Sequence, residues 1–383
     1  MSKKYRRRGG FLGLKNRFTR DYSEAESGVW DMGDVSASNS AHPVGEVTFT
    51  GVGTSTFVIP DGVEYISGVC IGGGGGGMYY NASSSSYTYA MQGGGGGGLA
   101  WFNNLKVSEM EANNSASNPR QITIDVGAGG SQGAYSNGAT VGGHSKIYWI
   151  GTGSSEQYIK AGGGGAGRYA QYIYGGSGSM SAGFRNKLLV DQQYIEWGLY
   201  SGGQSRYDSA SGGTAYGPAG GGGAAGYRGN GGQGRHSNYT LGAGGYYGGG
   251  AGGGPAPHPD IDLHRSGGGG GAHVFGIFGK ESYSSPGEYS GSHTLNIVPS
   301  QYSGAGSGGA GAYPGGAPSH IGSDISGGLY GGGGGGSSSV YFGQGGDGAQ
   351  GIVRLMWGDG RKFPYSAQWN GNNDLRYSSP GNY

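Results

Sequence analysis

The chain contains uninterrupted glycine runs that are longer than a turn or a short linker requires. Within residues 72–98, two runs of six glycines flank a spacer rich in tyrosine and serine. Glycine loses more conformational freedom on ordering than other residues, about 0.5–1 kcal/mol more than alanine at each position. With 98 glycines in 383 residues, the chain either leaves these runs disordered or uses glycine backbone as a packed interior.

We favour a packed glycine interior, because the chain has 30 tyrosines and many Trp, Phe, Ile and Val residues, which disordered segments lack. The runs follow no fixed Gly-X-Y repeat, so collagen is excluded. A chain without side chains can adopt an extended helix with three residues per turn, whose N–H and C=O groups point outward. Neighbouring runs can then bond to one another laterally. A run of six spans roughly 19 Å, enough to cross a compact domain.

Short strands that end in glycine surround these runs. The alternation of Val47, Phe49, Phe57 and Ile59 predicts a β-meander that opens onto the first run. Similar strands are predicted in "LAWFNNLKV", "QITIDVGAGG", "HSKIYWIG" and "QYIKAGGGGAGR", and a last one from Ile352 to Trp357, with Trp357 buried. No window shows the 3.6-residue apolar period of a helix. The predicted fold class is all-β and irregular, a strand meander plus packed polyglycine-II-like helices with almost no α-helix.

Composition divides the chain into four predicted regions. Residues 1–45 form a basic arm and connector, and residues 46–160 form a β-rich domain. Residues 161–350 form a glycine-rich domain with Tyr/Ser loops, and residues 351–383 form a closing strand and tail. Side-chain-free packing makes the runs intolerant of larger residues, so Val at Gly74 or Gly334 is expected to be more damaging than Val at Ser84.

The charge of the chain is concentrated at its start. The first twenty residues carry eight Lys or Arg and no acid, whereas the remaining chain has 16 basic and 23 acidic residues, a net of −7. Such an arm docks on an acidic partner, and we favour a protein groove over nucleic acid because apolar residues interrupt the charges. The predicted anchor residues of this arm are Lys3, Lys4, Arg6, Arg7, Arg8, Phe11, Leu12 and Trp30.

Targeting, membrane and disulfide features are not indicated. The apolar part of the basic head is too short for a signal peptide, and no stretch approaches the 18 apolar residues of a membrane-spanning helix. Cys70 is the single cysteine, so an internal disulfide is excluded, and a buried apolar role is expected for it.

Catalytic motifs are not indicated either, and no cofactor is expected. Matches to G-x-G-x-x-G arise by chance in a chain this rich in glycine, and none lies where a strand meets a helix. His258, Asp260, Asp262 and His264 alternate in "PAPHPDIDLHRSG" and would project to one side of an extended chain, but we prefer a polar loop tip to a metal site. Paired carboxylates for glycoside cleavage cannot be recognised from spacing alone.

The spacers between the glycine runs are the strongest functional signal. They are rich in Tyr, Ser, Gly and Asn, the residues that antibody binding loops use for wide amphipathic contacts and adaptable hydrogen bonds. The alternative is that the spacers only cover the glycine interior. The predicted receptor-binding residues are Tyr79, Tyr80, Tyr87, Tyr89, Tyr172, Tyr174, Tyr200, Tyr207, Tyr239, Tyr283 and Tyr289.

The two ends of the chain resemble glycine-rich virion proteins of tailed phages that infect marine bacteria, notably cyanobacteria. The resemblance rests on "RRRGGFLG", "SGVWDMGDV" and "GAQGIVRLMWGDGRKFP", about 50 residues in all. The middle is similar in style to the tail-fibre-tip adhesins of T-even-like phages, whose fold is a sandwich of polyglycine helices with variable loops. The resemblance implies a structural protein of the virion tail or tail fibre, assembled in the host cytoplasm, and no catalytic residue.

The predicted function is therefore that of a tail fibre or receptor-binding protein. Its arm would attach to the virion, and its loops would recognise a host surface glycan or outer-membrane protein without membrane insertion. The alternatives are a capsid or tail decoration without a receptor, and a polysaccharide-degrading tail enzyme. Tail fibres are commonly trimers, so a homotrimer is one oligomeric state; a polyglycine sandwich closes within one chain, so a monomer is the other.

Overall fold

The computed structural model is all-β and irregular, as predicted, and its described part contains only two short helices. Two five-stranded sheets pack face to face, and glycine-rich segments continue from the ends of their strands. The residues that the structure describes are 43–79, 91–168, 173–188, 197–205, 219–227, 229–234, 269, 271–272, 327, 330–336, 345–358 and 361–363.

The strands are short and most of them end at a glycine-rich segment. In chain order they are β1 (Gly45–Phe49), β2 (Gly53–Val58), β3 (Tyr65–Ile71), β4 (Met78–Tyr79), β5 (Leu99–Lys106), β6 (Gln121–Val126), β7 (Gly133–Ala134), β8 (Ser145–Ile150), β9 (Glu156–Ala161), β10 (Gly178–Met180), β11 (Trp197–Tyr200) and β12 (Ile352–Trp357). The two helices of the described part are α1 (Val107–Glu111) and α2 (Ala182–Leu188).

The order of the strands corrects one prediction. The first sheet has the order β1-β12-β3-β5-β11 and the second has the order β10-β9-β8-β6-β2, while β4 and β7 form a short parallel pair. The first three strands are therefore not neighbours, and the meander predicted from Val47 to Ile59 is wrong there; consecutive neighbours occur instead at β8-β9-β10. Alternation marks half-buried strands correctly, but it does not specify the partner of a strand.

The bend between β1 and β2 explains why this segment crosses between the sheets. Gly53 has a φ of +114°, a conformation that favours glycine. The rings of Phe49 and Phe57 then meet between the two sheets, with centroids 6.1 Å apart. One strand therefore enters each sheet, although both contribute to the same core.

An aromatic cluster fills the centre of the space between the sheets. The ring of Phe184, on α2, lies 5.1 Å from the ring of Phe102 and 5.2 Å from that of Trp149, between centroids. All three side chains are buried. Aromatic side chains bury 150–250 Å² each, so this cluster is a major source of apolar burial for the sandwich.

The first sheet is covered on both faces. Val69, Trp101 and Met356 lie on the face opposite the sandwich core and pack with Tyr227 and Phe363. The rings of Tyr227 and Phe363 are stacked, with centroids 5.8 Å apart. This double burial explains the nearly continuous apolar sequence of β12, every residue of which is buried.

Cys70 is fully buried in β3, as expected. Burial raises the pKa of its thiol to about 12, because the thiolate would lose its hydration, and bonds to backbone lower that value only in part. The thiol therefore stays protonated at neutral pH and acts as a small apolar group.

The first glycine run donates its backbone hydrogen bonds with a repeat of three residues. Every third N–H is directed to the same neighbouring segment, and three segments are reached in turn. The nitrogen–oxygen distances are 2.8–3.1 Å. The N–H groups of Gly72, Gly75 and Met78 donate to the carbonyl groups of Gly98, Gly95 and Gln92, respectively. In the same way, Gly73 and Gly76 donate to Gly143 and Thr140, and Gly74 and Gly77 donate to Ala349 and Gly346. Outward donors with this period are those of a polyglycine II helix, so the predicted packing is confirmed.

The carbonyl groups of the same run complete a shell of six neighbours. They accept from three further segments: from Gly130 and Gly133, from Gly164 and Gly167, and from Gly334. The second run, 93–98, is surrounded in the same way by segments that include 72–77, 162–165, 174–176, 202–203, 219–225 and 331–334. Two glycine helices thus form the centre of a lattice that is held together by backbone hydrogen bonds.

The lattice leaves no space for a side chain at its central positions. A Cβ atom added to Gly74 would lie closer than 3.0 Å to the carbonyl oxygen of Gly332, and one added to Gly334 would meet the carbonyl oxygen of Gly346 in the same way. By contrast, a Cβ atom at Gly51, in the bend before β2, would meet nothing within 4 Å. The geometry agrees with the expected sensitivity of Gly74 and Gly334.

The C-terminal box becomes the strand that completes the first sheet. β12 lies between β1 and β3, and Trp357 is buried, as predicted. Arg354, whose side chain is 0% exposed, and Arg361 both donate to the Glu46 carboxylate. Burial alone would raise the pKa of this carboxyl group, but the two guanidinium groups outweigh it and lower the pKa.

Hydrogen bonds join segments from both sides of residue 160. Gly95 N donates to Gly165 O over 2.9 Å, and Gly74 N donates to Ala349 O over 2.8 Å. The predicted division into domains at residues 45, 160 and 350 stays a prediction.

Candidate functional site at the loop end of the glycine lattice

The lattice has two different ends. Three glycine segments leave the sheets directly after a strand: residues 72–77 follow β3, residues 127–133 follow β6, and residues 162–167 follow β9. Gly130 N donates to Gly74 O and Gly164 N donates to Gly73 O, both over 2.8 Å, and the register of these bonds makes the three segments parallel. We call the end where they leave the strands the sheet end, and the opposite end the loop end.

Most of the connections between glycine segments start at the loop end. Their flanking residues lie beside Met78 and Met91, which close the first run and open the second. The connections that start there comprise residues 80–90, 134–139, 169–172, 206–218, 235–268 and 337–344. The sheets lie at the opposite end, so the lattice separates the sandwich from the described residues that flank these spacers.

Eight of the eleven predicted receptor-binding tyrosines fall, in the sequence, within or next to segments whose described flanking residues lie at the loop end. Tyr79, in β4, is half-buried, and its carbonyl accepts a hydrogen bond of 2.8 Å from Tyr135 N. Tyr174 is 66% exposed, and its carbonyl accepts from Gly165 N. The remaining six, which lie outside the described residues, are Tyr80, Tyr87, Tyr89, Tyr172, Tyr207 and Tyr239.

The other three tyrosines belong elsewhere in the chain. The prediction that Tyr200 lies in a loop is wrong: it lies in β11 at the sheet end, where it is half-buried against the apolar cluster that contains Trp101 and Tyr227. Tyr283 and Tyr289 lie outside the described residues, in the connection that follows Ala272; Ala272 bonds to Tyr330 near the sheet end. Among these eleven tyrosines, the structure brings only Tyr79 and Tyr174 to the loop end within its described part.

An open concavity of about 710 Å³ lies at the loop end. It is formed where the three parallel segments finish side by side, because Gly133 N bonds to Gly77 O and Gly167 N bonds to Gly76 O. The residue or turn that follows each segment contributes a wall: Met78, residues 135–139 and Arg168. The site is therefore positioned by backbone bonds rather than by a side-chain core.

The turn at residues 134–138 gives the concavity a fixed rim. The N–H groups of Asn137 and Gly138 both bond to the Ala134 carbonyl, over 3.0 and 2.7 Å, and Gly138 has a φ of +69°. This closed turn leaves the side chains of Tyr135, Ser136 and Asn137 exposed, with Tyr135 at 50%.

Tyr135 and Arg168 are candidate contact residues that the sequence prediction did not include. The segment "SQGAYSNGAT" has the Tyr, Ser and Asn composition of the predicted loops and is bracketed by "GAGG" and "VGG". That bracketing is the signal in the sequence, but the segment directly follows a predicted strand, and composition alone does not separate the two. Arg168 directly precedes the Tyr-rich segment that contains Tyr172 and Tyr174, where composition favours the tyrosines.

The described residues offer no other chemical centre. Among them, no cluster of three His, Cys, Asp or Glu side chains could hold a metal ion, and no helix is long and apolar enough to cross a membrane. The alternating set from His258 to His264 and the predicted anchor residues of the first 42 positions lie outside the part of the chain that the structure describes.

Comparison with known proteins identifies the class of the chain. Residues 49–292 match a family described as "glycine-rich domain". The match covers more than half of the chain, so the protein belongs to this glycine-rich domain family. No protein with a curated description matches it.

Proposed function

We propose that this protein is a phage tail fibre or receptor-binding protein that attaches to the virion by its N-terminal arm and to the host surface by its loop end. The observation that carries the proposal is the separation of the two ends. The described residues that flank the Tyr- and Ser-rich segments lie at one end of the lattice, and the sandwich lies at the other.

The position of β1 supports the same division of roles. β1 begins at Gly45 and pairs with β12 in the first sheet, so residues that precede β1 join the molecule at its sheet end. An arm that anchored there would leave the loop end pointing away from the particle.

The lattice also suits variable recognition loops. Its hydrogen bonds join backbone to backbone, so they do not depend on the sequence or length of the connections between the segments. Loops on a rigid scaffold are common carriers of binding function, and rigid Tyr side chains give broad contacts at small entropic cost.

Adsorption to host cells tests the proposal. The purified full chain is expected to bind host cells and to compete with phage adsorption. A variant with residues 80–90 replaced by a Gly/Ser linker of equal length should keep its thermal stability and lose much of this competition. A matched variant with residues 152–155 replaced, in the turn between β8 and β9, should compete like the wild type.

Other outcomes favour the rival functions. Incorporation into particles without any adsorption of the purified chain would favour a decoration protein and overturn the receptor role. Release of reducing sugar from host polysaccharide by the purified chain would favour a tail enzyme.

A further inference from the structure

We propose that the concavity at the loop end binds an acidic sugar residue of a saccharide, with Arg168 as the anion contact and Tyr135 as the stacking surface. This inference deepens the proposed function, on which it rests, by naming the ligand class. Its geometry comes from described residues alone.

The electrostatic argument starts from Arg168. Its side chain is exposed at the wall of the concavity, and no described residue forms an ion pair or hydrogen bond with its guanidinium group. None of the described residues that line the concavity is acidic. A guanidinium group offers a planar fork of donors that matches a carboxylate or a phosphate group, so an anionic ligand is favoured here.

The remaining walls match a sugar ring. Tyr135 is 50% exposed and presents an amphipathic ring, while Ser136 and Asn137 supply hydroxyl and amide groups that both donate and accept hydrogen bonds. Met78, which is buried, also lines the concavity. A volume of about 710 Å³ lies within the range of small-molecule sites.

The frame of the site is already organised for binding. The three segments that carry its walls are fixed by backbone bonds of 2.8–3.1 Å at Gly133, Gly167 and Tyr135. Because the walls stand on this lattice, less ordering is needed when a ligand binds, and this favours affinity.

Calorimetry with the full chain tests the inference. The probes are an oligosaccharide of galacturonic acid, a mannose 6-phosphate sugar, and a neutral galactose oligosaccharide. Binding of at least one acidic probe and none of the neutral one is expected, and the stronger of the two acidic probes identifies a carboxylate or a phosphate ligand. Equal binding of the neutral probe would overturn the inference, as would failure of both acidic probes.

Substitutions locate the binding to this concavity. Arg168→Gln is expected to weaken binding of the acidic probe about tenfold or more, since hydrogen bonds between charged groups are stronger than those between neutral groups. Arg168→Lys should restore part of the affinity, and Tyr135→Ala should weaken it as well. Lys160→Gln removes one positive charge at the sheet end and should leave the affinity for the acidic probe unchanged. An equal loss of affinity in this variant would show that the probe is attracted by net charge alone, and it would overturn the proposed site.

Two readouts separate this inference from the proposed function. If Arg168→Gln adsorbs to host cells as the wild type does but binds no acidic probe, the concavity is a saccharide site that does not mediate adsorption, and the link between the two is overturned. If the wild type binds the acidic probe and fails to adsorb, the receptor role fails and the saccharide site stands. Thermal melts of each variant verify folding.

Discussion

The sandwich and the glycine lattice solve the same packing problem by different means. In the sandwich, Phe102, Trp149 and Phe184 exclude water with large side chains. In the lattice, runs such as 72–77 have no side chains and approach until carbonyl groups and N–H groups bond directly. The lattice is therefore stabilised by backbone hydrogen bonds and the sandwich by buried apolar area. Larger side chains should destabilise the lattice, whereas smaller side chains should destabilise the sandwich.

The largest expected effect is at the centre of the lattice. Gly74→Val would place a side chain against the Gly332 carbonyl and break the bonds to two neighbouring segments. We expect destabilisation of more than about 4 kcal/mol, seen as loss of soluble protein or of the unfolding transition in urea. Gly51→Val, where a Cβ atom meets nothing within 4 Å, is the matched control, and equal loss in both variants would contradict the lattice.

The next effect tests the sandwich. Phe102→Ala removes a fully buried ring from the aromatic cluster and leaves a cavity, so destabilisation of about 3–5 kcal/mol is expected. Urea unfolding measures it. A change below about 1 kcal/mol would mean that the side-chain core is less important than its burial indicates.

The Glu46 carboxylate connects β1 to β12 and gives a pH test. Because its folded pKa is lowered below the ordinary value of 4.5, its contribution is present above about pH 4.5 and is lost as the pH falls through the lower folded pKa. Glu46→Gln removes the negative charge that Arg354 and Arg361 contact but keeps an oxygen that can accept a hydrogen bond, so a loss of about 1.5–3 kcal/mol at pH 7 is expected. The gap between variant and wild type should narrow in acid, and a gap independent of pH between 7 and 3 would contradict this assignment.

The smallest pair of changes compares one methyl group in each region. Ile124→Val removes a methyl group from the sandwich, where Ile124 is 0% exposed, and should cost about 0.5–1.5 kcal/mol. Gly96→Ala adds one methyl group to the lattice, against the Gly223 carbonyl, and should lower the free energy of unfolding by more than Ile124→Val does. Thermal melts rank the two, and the reverse order would contradict the contrast between the regions.

The sequence predicted the lattice because few structures can accommodate long glycine runs among aromatic residues. It also predicted the strand from Ile352 to Trp357 and the burial of Trp357 and Cys70, since continuous apolar runs between turns require burial. The pairing of the strands was not predictable, because alternation in Val47 or Phe57 defines a face and not a partner.

The candidate site was predictable only in composition. The Tyr-rich spacers are visible in the sequence, but the site lies where three distant segments finish together. That juxtaposition depends on which carbonyl each glycine N–H finds, and identical glycines carry no information about it. Tyr135 and Arg168 therefore emerge only from the register of Gly133 and Gly167.

Because the positions along a glycine run are identical, the run itself does not determine its alignment with the neighbouring segments. A helix without side chains can slide along its axis by one residue and form equivalent bonds after a rotation, so nothing within residues 72–77 selects one alignment. Selection falls to the residues that bound the run: Ile71, held in β3, and Met78, whose N–H bonds to Gln92 O. These boundary residues fix the position of the run along its axis. Substituting them should shift the whole glycine segment relative to its neighbours while the segment itself stays helical.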